Sequence, residues 1–218
     1  MLIDFDSILY TSVYKIVSIS QMREALTNYT KVEAREWLMQ EIYNEGINRC
    51  ENEILKIQNY IEDIFPVEIK DIQLYITTCK RNFRNEIDPK YKKNRKRNKY
   101  VWMLREHYKH NGAKFHDVLE ADDLISIDAR RLGIGNYLIA SIDKDLKQIG
   151  GYYWSYYKMR SKDHEGNPIK NEYGFFETEY RQKEVSFISK READLFLWSQ
   201  MLIAVSYTHL TLPTIYSV

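Results

Sequence analysis

Hydrophobic and polar positions along the chain follow two periods, one typical of strands and the other of helices. Strands are predicted at Leu2–Leu9, Ile72–Ile76, Tyr137–Ile142 and Tyr152–Tyr157, with a short one near Phe115. The third of these is almost continuously apolar, which is typical of a strand that is buried on both faces of a parallel sheet.

Between the strands, apolar residues recur every three or four positions. The longest such pattern runs from about Val32 to Phe65, and Pro66 ends it. Its apolar residues are expected to face the core: Ile47, Cys50, Ile54, Ile57, Ile61 and Ile64. Further helices are predicted at Val101–Tyr108, at Leu124–Leu132 and from Ser189, where Glu192 completes a capping box, to about Ile203. The polar residues 163–168 predict a hairpin turn.

Strands that alternate with helices predict an α/β fold in which helices flank a parallel sheet. Ligand sites of such sheets lie at the carboxyl ends of the strands. Three groups of acidic residues are expected to meet there: Asp4 and Asp6; Glu120, Asp122 and Asp123; and Asp143 and Asp145. So many carboxylates need cations, and oxygen ligands with few histidines indicate Mg²⁺ or Mn²⁺ rather than zinc. For the group in LEADDL, Leu119–Leu124, the alternative is an ordinary helix N-terminus, which also favours acidic residues.

The formal net charge of +1 hides an uneven distribution of charge. The segment from Lys80 to Lys99 has ten basic residues and only two acidic ones, so the rest of the chain is acidic. Aromatic residues lie among the cations: Phe83, Tyr91 and Tyr100. This mixture favours nucleic-acid binding over the alternative, a solvated linker.

The two cysteines, Cys50 and Cys79, lie far apart and outside any Cys-x-x-Cys spacing, which indicates a reducing compartment such as the cytoplasm. No apolar run reaches the roughly 18 residues that a membrane span needs. We therefore expect no membrane partner.

Three stretches together resemble the 5′-nuclease superfamily, which includes bacteriophage 5′–3′ exonucleases and flap endonucleases. They are FRNEIDPKYKKNRK at Phe83–Lys96, LEADDL, and IASIDKDLKQI at Ile139–Ile149. The resemblance implies a PIN-like fold with a basic arch insertion. It also implies Mg²⁺- or Mn²⁺-dependent hydrolysis of DNA near 5′ ends, flaps or single-stranded tails in phage DNA replication, with RNA primers as possible substrates. The resemblance further implies two metal ions and a monomer.

The resemblance also assigns roles to residues. The family's metal-binding carboxylates match Asp4, Glu120, Asp122, Asp123, Asp143 and Asp145, and Asp6 lies beside them. The family's Tyr-Lys-x-Asn-Arg motif matches Tyr91, Lys92 and Arg95, of which Lys92 and Arg95 would face the scissile phosphate. Catalysis is assigned to Lys92, Arg95, Asp4, Asp123 and Asp143. Nucleic-acid binding is assigned to Arg84, Tyr91, Lys92, Lys93, Arg95 and Lys96.

The chain departs from the family's pattern in three places. The loop TTCKRN, Thr77–Asn82, lacks an acidic residue that is common there, and Phe5 replaces a common glycine. After a helix like the one ending at Ile203, the family continues with Gly-Asp-x-x-Asp-Asn and a helix-hairpin DNA-binding domain. Here no Asp, Glu, Lys or Arg follows Leu195.

We therefore expect a 5′-nuclease domain at residues 1–203, which includes the arch segment 80–99, and a non-native tail at 204–218 with the helix-hairpin domain missing. The alternative for the tail is a genuine C-terminal strand. Two other functions stay open. A PIN-type endoribonuclease would share the carboxylates but not need YKKNRK, and a nucleic-acid-binding fragment would have impaired catalysis.

Overall fold

A computed structural model of the protein describes residues 1–14, 16, 19–78, 82–89, 91, 98–172 and 176–211. The chain divides into two compact units, Met1–Ile127 and Asp128–Val218. Each unit combines helices with a parallel pair of strands. The protein is therefore a mixed α/β protein, as the sequence predicts.

In the first unit, strand β1, Leu2–Asp4, pairs in parallel with strand β2, Gln73–Tyr75. Asp4 and Tyr75 are opposite each other at the ends of these strands. Tyr75 also forms an isolated parallel bridge with Lys114, which lies where the short strand near Phe115 is predicted. The helices that begin in this unit are α1 Asp6–Ser12, α2 Ile19–Asn28, α3 Lys31–Ile64, α4 Arg84–Ile87, α5 Lys99–His110 and α6 Ala121–Leu132.

The predicted strand Leu2–Leu9 is too long, because the chain turns into α1 at Asp6. Ile8 and Leu9 are buried on one side of this helix, and Asp6 lies in its first turn, where a negative charge is favourable. A window of eight residues with five apolar ones fits either the strand or the helix period, so the pattern alone could not locate the point where the strand ends.

Helix α3 confirms the longest predicted helix to within one residue at each end. A capping box starts it, since the Glu33 N–H donates to Thr30 Oγ1 at 3.3 Å and the Thr30 N–H donates to the Glu33 carboxylate at 2.9 Å. Of the predicted core positions, Cys50, Ile57 and Ile61 are fully buried, and the other three are half-buried.

Helix α5 packs closely on α3 through a glycine. A Cβ atom at Gly46 would lie 3.0 Å from Leu104 Cδ1, so the two helices approach where α3 has no side chain. Val101, Leu104 and Tyr108 are buried as the pattern predicts. Phe5 is also buried and packs edge-on against the Tyr108 ring, with 4.7 Å between centroids. The side chain that replaces the family's glycine is therefore part of the core.

In the second unit, strand β3, Leu138–Ala140, pairs in parallel with β4, Gly151–Trp154. A 3₁₀-helix, Lys144–Ile149, connects them. Every residue of β3 is buried, as its apolar run predicts. Strands β5, Lys158–Arg160, and β6, Thr178–Tyr180, form an antiparallel pair, and β7, Ser186–Ile188, pairs antiparallel with β4.

The last helix, α7, spans Lys190–Thr211. Its predicted capping box is confirmed, because the Glu192 N–H donates to Ser189 Oγ at 3.2 Å and the Ser189 N–H donates to the Glu192 carboxylate at 2.8 Å. The helix continues past the predicted end at Ile203, and residues 204–211 are helical rather than extended. No glycine or proline occurs between Ile203 and Thr211, so the β propensity of Tyr and Thr is overridden. Among the described residues, no helix is long and apolar enough to cross a membrane.

Candidate active site

Three segments of the first unit meet around one threonine. Thr77 follows β2, and its backbone N–H donates to Asp6 Oδ1 at 3.3 Å. Its hydroxyl oxygen accepts from the Ala121 N–H, the first residue of α6, at 3.0 Å. Asp4 lies half-buried at the end of β1, opposite Tyr75. The carboxyl ends of both strands and the start of α6 thus form one edge, where an α/β sheet places ligand sites.

Asp6 already has a cationic partner at this edge. Arg105, on α5, donates to Asp6 Oδ1 from Nη2 at 2.8 Å and from Nε at 3.1 Å. The two side chains are 14% and 23% exposed, so solvent screens the pair only in part. Asp6 therefore connects α1 to α5 and to the loop after β2.

The LEADDL carboxylates gather around Arg84. The guanidinium donates to Asp123 through Nη1 at 2.8 Å and Nη2 at 2.7 Å, and to Glu120 Oε2 at 3.1 Å. Asp122 Oδ2 lies 3.7 Å from Nη2. Arg84 thus lies close to all three carboxylates of LEADDL.

Aromatic residues surround this guanidinium. The Arg84 Cζ atom lies 4.9 Å from the centroid of the Phe83 ring and 5.9 Å from that of the Tyr91 ring. The Tyr91 hydroxyl donates to Glu120 Oε2 at 3.1 Å, so Glu120, which is 5% exposed, receives bonds from two donors. Tyr91, the first residue of the predicted arch motif, is therefore in direct contact with a predicted metal ligand.

The start of α6 satisfies part of the acidic charge, as the alternative interpretation of LEADDL expects. The Glu120 N–H donates to Asp123 Oδ2 at 3.0 Å, and the Asp123 N–H donates to Asp122 Oδ1 at 3.0 Å. These bonds satisfy backbone N–H groups at the start of the helix, which have no partner within the helix. The helix start and Arg84 therefore act on the same side chains, and the metal explanation of the cluster stays a prediction.

The charge balance of the cluster is visible at Asp122. Burial first, and then the neighbouring charge of Asp123, raise the pKa of the Asp122 carboxyl, although Arg84 opposes this. The pKa of Arg84 is raised although its burial acts in the opposite direction, because Asp123, Asp122 and Glu120 favour the charged guanidinium. Burial thus opposes ionisation of the Asp122 carboxyl in spite of the nearby arginine.

Arg84 lies inside the basic segment, and Arg105 lies beyond it. Arg84 is near the start of the segment, and Arg105 is six residues beyond its end. Each is bound to acidic residues of the same edge. The predicted arch residues Lys92, Lys93, Arg95 and Lys96 lie outside the described residues, so their assignments stay predictions.

In the second unit, Asp143 and Asp145 lie together directly after β3. The Asp145 N–H donates to Asp143 Oδ1 at 2.9 Å, which makes Asp143 the N-cap of the 3₁₀-helix. The Asp143 N–H donates to Ser141 Oγ at 2.9 Å, and the Tyr153 hydroxyl donates to the Asp143 carbonyl at 3.1 Å. Both carboxylates are exposed at the carboxyl end of a parallel strand, the position that the sequence predicts for them.

In the described part of the chain, no three His, Cys, Asp or Glu side chains are grouped so that they could hold a metal ion. The side chains of Glu120, Asp122 and Asp123 point to Arg84 instead. The metal assignments of all seven carboxylates therefore stay predictions.

The sequence does not identify every residue that organises this edge. Arg84 is predicted to bind nucleic acid, yet in the structure it binds the acidic cluster. Arg105 and Thr77 are not predicted at all. The signal for Arg105 in the sequence is its position directly after the predicted core residue Leu104. In the structure its side chain is 14% exposed.

Comparisons with protein-family models, with curated proteins and with solved structures find no match to this chain.

Proposed function

We propose that the protein is a Mg²⁺- or Mn²⁺-dependent 5′ nuclease with a PIN-like fold that hydrolyses DNA phosphodiesters near 5′ ends or flaps. The resemblance of three motifs in their order along the chain suggests this activity. It would act in the cytoplasm, with phage DNA replication as the process that the resemblance indicates.

One observation carries the proposal: three carboxylates at the edge of the sheet, those of Glu120, Asp122 and Asp123, lie within 3.7 Å of the Arg84 guanidinium. Burial, and then the neighbouring charge of Asp123, raise the pKa of the Asp122 carboxyl. Carboxylate oxygens are the ligands that hard divalent cations prefer. The chemistry of these side chains would therefore suit magnesium or manganese.

The proposal assigns metal binding to Glu120, Asp122, Asp123, Asp4 and Asp6 of the first unit and to Asp143 and Asp145 of the second. When bound, the metal would lower the pKa of water and stabilise negative charge on a phosphate. Arg84 would have to exchange carboxylate partners for the cation to enter.

The basic residues would act on the substrate. Lys92 and Arg95 would neutralise the charge that develops on the scissile phosphate, Arg through bidentate contacts and Lys as a mobile charge. Tyr91, bound to Glu120, would keep the start of this motif beside the carboxylates. The product would be released with a 5′-phosphate.

The activity can be tested by incubating the protein with a 5′-flap DNA and a single-stranded RNA, in Mg²⁺ and in EDTA. We expect Mg²⁺-dependent cleavage of the flap that the Asp143→Asn variant loses. Asp63→Asn is the matched control, because it removes the same charge from an exposed position on α3. Cleavage of RNA alone would indicate a PIN-type endoribonuclease, and binding without cleavage an impaired nucleic-acid-binding fragment. Either result would refute the proposal.

The double variant Lys92→Ala with Arg95→Ala tests the role of the basic segment. The slope of log K against log salt should fall by roughly 1.4 to 1.8, since each neutralised phosphate contributes about 0.7 to 0.9. Arg35→Ala with Lys56→Ala removes the same charge from exposed positions of α3 and should leave the slope unchanged. If cleavage and slope in the first variant equalled those of the wild type, this role would be wrong.

A further inference from the structure

The hairpin that contains β5 and β6 has an unusual centre. The N–H groups of Ser161, Ile169 and Glu177 donate in a ring, each to the carbonyl of another: Ser161 to Glu177 at 3.0 Å, Glu177 to Ile169 at 3.0 Å, and Ile169 to Ser161 at 2.9 Å. Three short antiparallel arms meet there, through the bridges Lys162↔Pro168 and Lys170↔Phe176 and the pairing of β5 with β6. Because side chains alternate along a strand, the residues directly before and directly after Ser161, Ile169 and Glu177 in the chain lie on one face of the hairpin.

Cations are concentrated on this face. It contains Lys158, Arg160, Lys162 and Lys170, together with Phe176, Thr178 and Tyr180. The acidic residues of the same segment are elsewhere: Glu177 and Glu179 are on the opposite face, Asp163 and Glu165 are in the turn before Pro168, and Glu172 is in the turn after Lys170. We refer to this surface as the hairpin basic face.

Two of its cations, Arg160 and Lys170, contact the same aromatic ring. Arg160 Cζ lies 4.2 Å and Lys170 Nζ 5.1 Å from the centroid of the Phe176 ring, and Phe176 is 42% exposed. Within the described ranges, Arg160, Lys162 and Lys170 form no ion pair with a carboxylate, and all three are exposed. At the inner end, Tyr180 is buried edge-on against Trp154, which anchors the hairpin in its own unit.

We infer that the hairpin basic face binds single-stranded nucleic acid, with Arg160, Lys162 and Lys170 on phosphates and Phe176 beside a base. Exposed cations that lack acidic partners gain most from neutralising phosphates, through counterion release. An exposed ring among them suits base stacking, which tolerates any sequence. This surface lies in the second unit and is separate from the basic segment 80–99. The inference rests on the proposed function for its choice of a nucleic-acid partner, but it needs no catalysis.

The test is binding of a labelled single-stranded oligonucleotide in EDTA, measured by fluorescence anisotropy over a range of salt concentrations. The triple variant Arg160→Gln, Lys162→Gln, Lys170→Gln should bind about a hundredfold more weakly at 0.1 M salt, and its salt slope should fall by roughly 2 to 3. The control is Lys183→Gln, Lys190→Gln, Arg191→Gln. It removes the same charge from exposed positions of the same unit, two of which pair with Glu179 and Asp194. This control should bind within about twofold of the wild type.

A second variant separates stacking from charge. Phe176→Ala should weaken binding of single strands by about fivefold or more and affect duplex DNA less, while Phe187→Ala, at another exposed ring of the unit, should change neither. Circular dichroism and thermal unfolding confirm that each variant is folded.

Wild-type affinity and wild-type salt slope in the triple variant would overturn the inference. Binding of polyglutamate, which represents an acidic protein, is measured in the same way. If the triple variant lost polyglutamate binding but bound DNA like the wild type, the inference would also be overturned, because the partner would then be an acidic protein. If the wild type binds single strands through this face but never cleaves a flap, the proposed function fails and the inference holds. If the wild type cleaves the flap and the triple variant binds single strands normally, the proposed function holds and the inference fails.

Discussion

Replacing Arg84 by glutamine should leave Glu120, Asp122 and Asp123 without their cation. Arg84 donates three hydrogen bonds of 2.7 to 3.1 Å to two of these carboxylates and lies 3.7 Å from the third. Glutamine keeps a polar side chain of moderate length but cannot supply the charge. We therefore expect Arg84→Gln to lower the free energy of unfolding in the absence of divalent metal.

The size of this effect follows from how far the cluster is buried. Breaking a fully buried ion pair costs about 3 to 5 kcal/mol, and breaking an exposed one about 0.2 to 1 kcal/mol. The Arg84 side chain is 26% exposed, and those of Glu120 and Asp123 are 7% and 22% exposed, so the cluster lies between these limits. We expect a loss of about 2 to 3 kcal/mol, or a fall in Tm of roughly 5 to 10 °C.

Urea denaturation of the wild type and of Arg84→Gln, with and without Mg²⁺ at matched ionic strength, measures the loss of unfolding free energy. It also shows whether the missing positive charge causes that loss. If the carboxylates hold a divalent cation, Mg²⁺ should stabilise Arg84→Gln more than the wild type, because the guanidinium no longer competes. The control is Arg49→Gln, which removes a pair with Glu45 whose side chains are 37% and 40% exposed, together with an exposed hydrogen bond from Arg49 Nη1 to the Tyr14 carbonyl. Its loss should be about 0.5 kcal/mol or less, with no specific response to Mg²⁺.

The loss of unfolding free energy in Arg84→Gln should also depend on pH. A carboxyl whose pKa is raised in the folded state, as that of Asp122 is, contributes stability at low pH that is lost as pH rises from the ordinary value of 3.8 through the raised one. Removing Arg84 raises this pKa further, so the difference from the wild type should shrink as pH falls through that window. Equal stability of the two proteins at neutral pH, with equal responses to Mg²⁺, would refute the reasoning about charge.

Two further predictions concern the fold. Thr30→Ala removes the hydroxyl that accepts the Glu33 N–H at the start of α3, and urea denaturation should show a loss of about 1 kcal/mol; an unchanged midpoint would mean that the cap is not needed. Gly151→Ala should lower the free energy of unfolding by about 2 to 5 kcal/mol, because the residue has φ +79° and its new Cβ would lie 2.7 Å from the Tyr137 ring. Gly166→Ala should lower it by only about 1 to 2 kcal/mol, because this residue has a similar φ of +89° but open space around it. Equal losses at both glycines would show that the ring moves aside freely.

Elements with strong local signals could be predicted from the sequence. Helix α3 has a capping box, a regular apolar stripe and a proline at its end, and all three features are local. Strand β3 is apolar throughout and ends at an acidic pair, and the structure has it buried at that place. Short elements with weaker signals are harder to predict: the pattern places the start of α1 within a strand, and it does not indicate β7.

The organisation of the acidic cluster could be predicted only in part. The start of α6 at LEADDL follows from capping preferences, which act within one turn. The partnership with Arg84 joins residues 36 to 39 positions apart, and that of Arg105 with Asp6 joins residues 99 apart. Such contacts depend on how elements pack, and periodicity along the chain contains no information on that.

The close approach of α5 to α3 at Gly46 has a consequence for the accuracy of the candidate site. Leu104 fills the space that a side chain at position 46 would need, and the next residue on α5 is Arg105, which binds Asp6. The residue that leaves room for Leu104 therefore has no side chain and lies on a helix that supplies none of the predicted ligands. A methyl group added there would require Leu104 to give way by a few tenths of an ångström, directly beside the residue that binds Asp6.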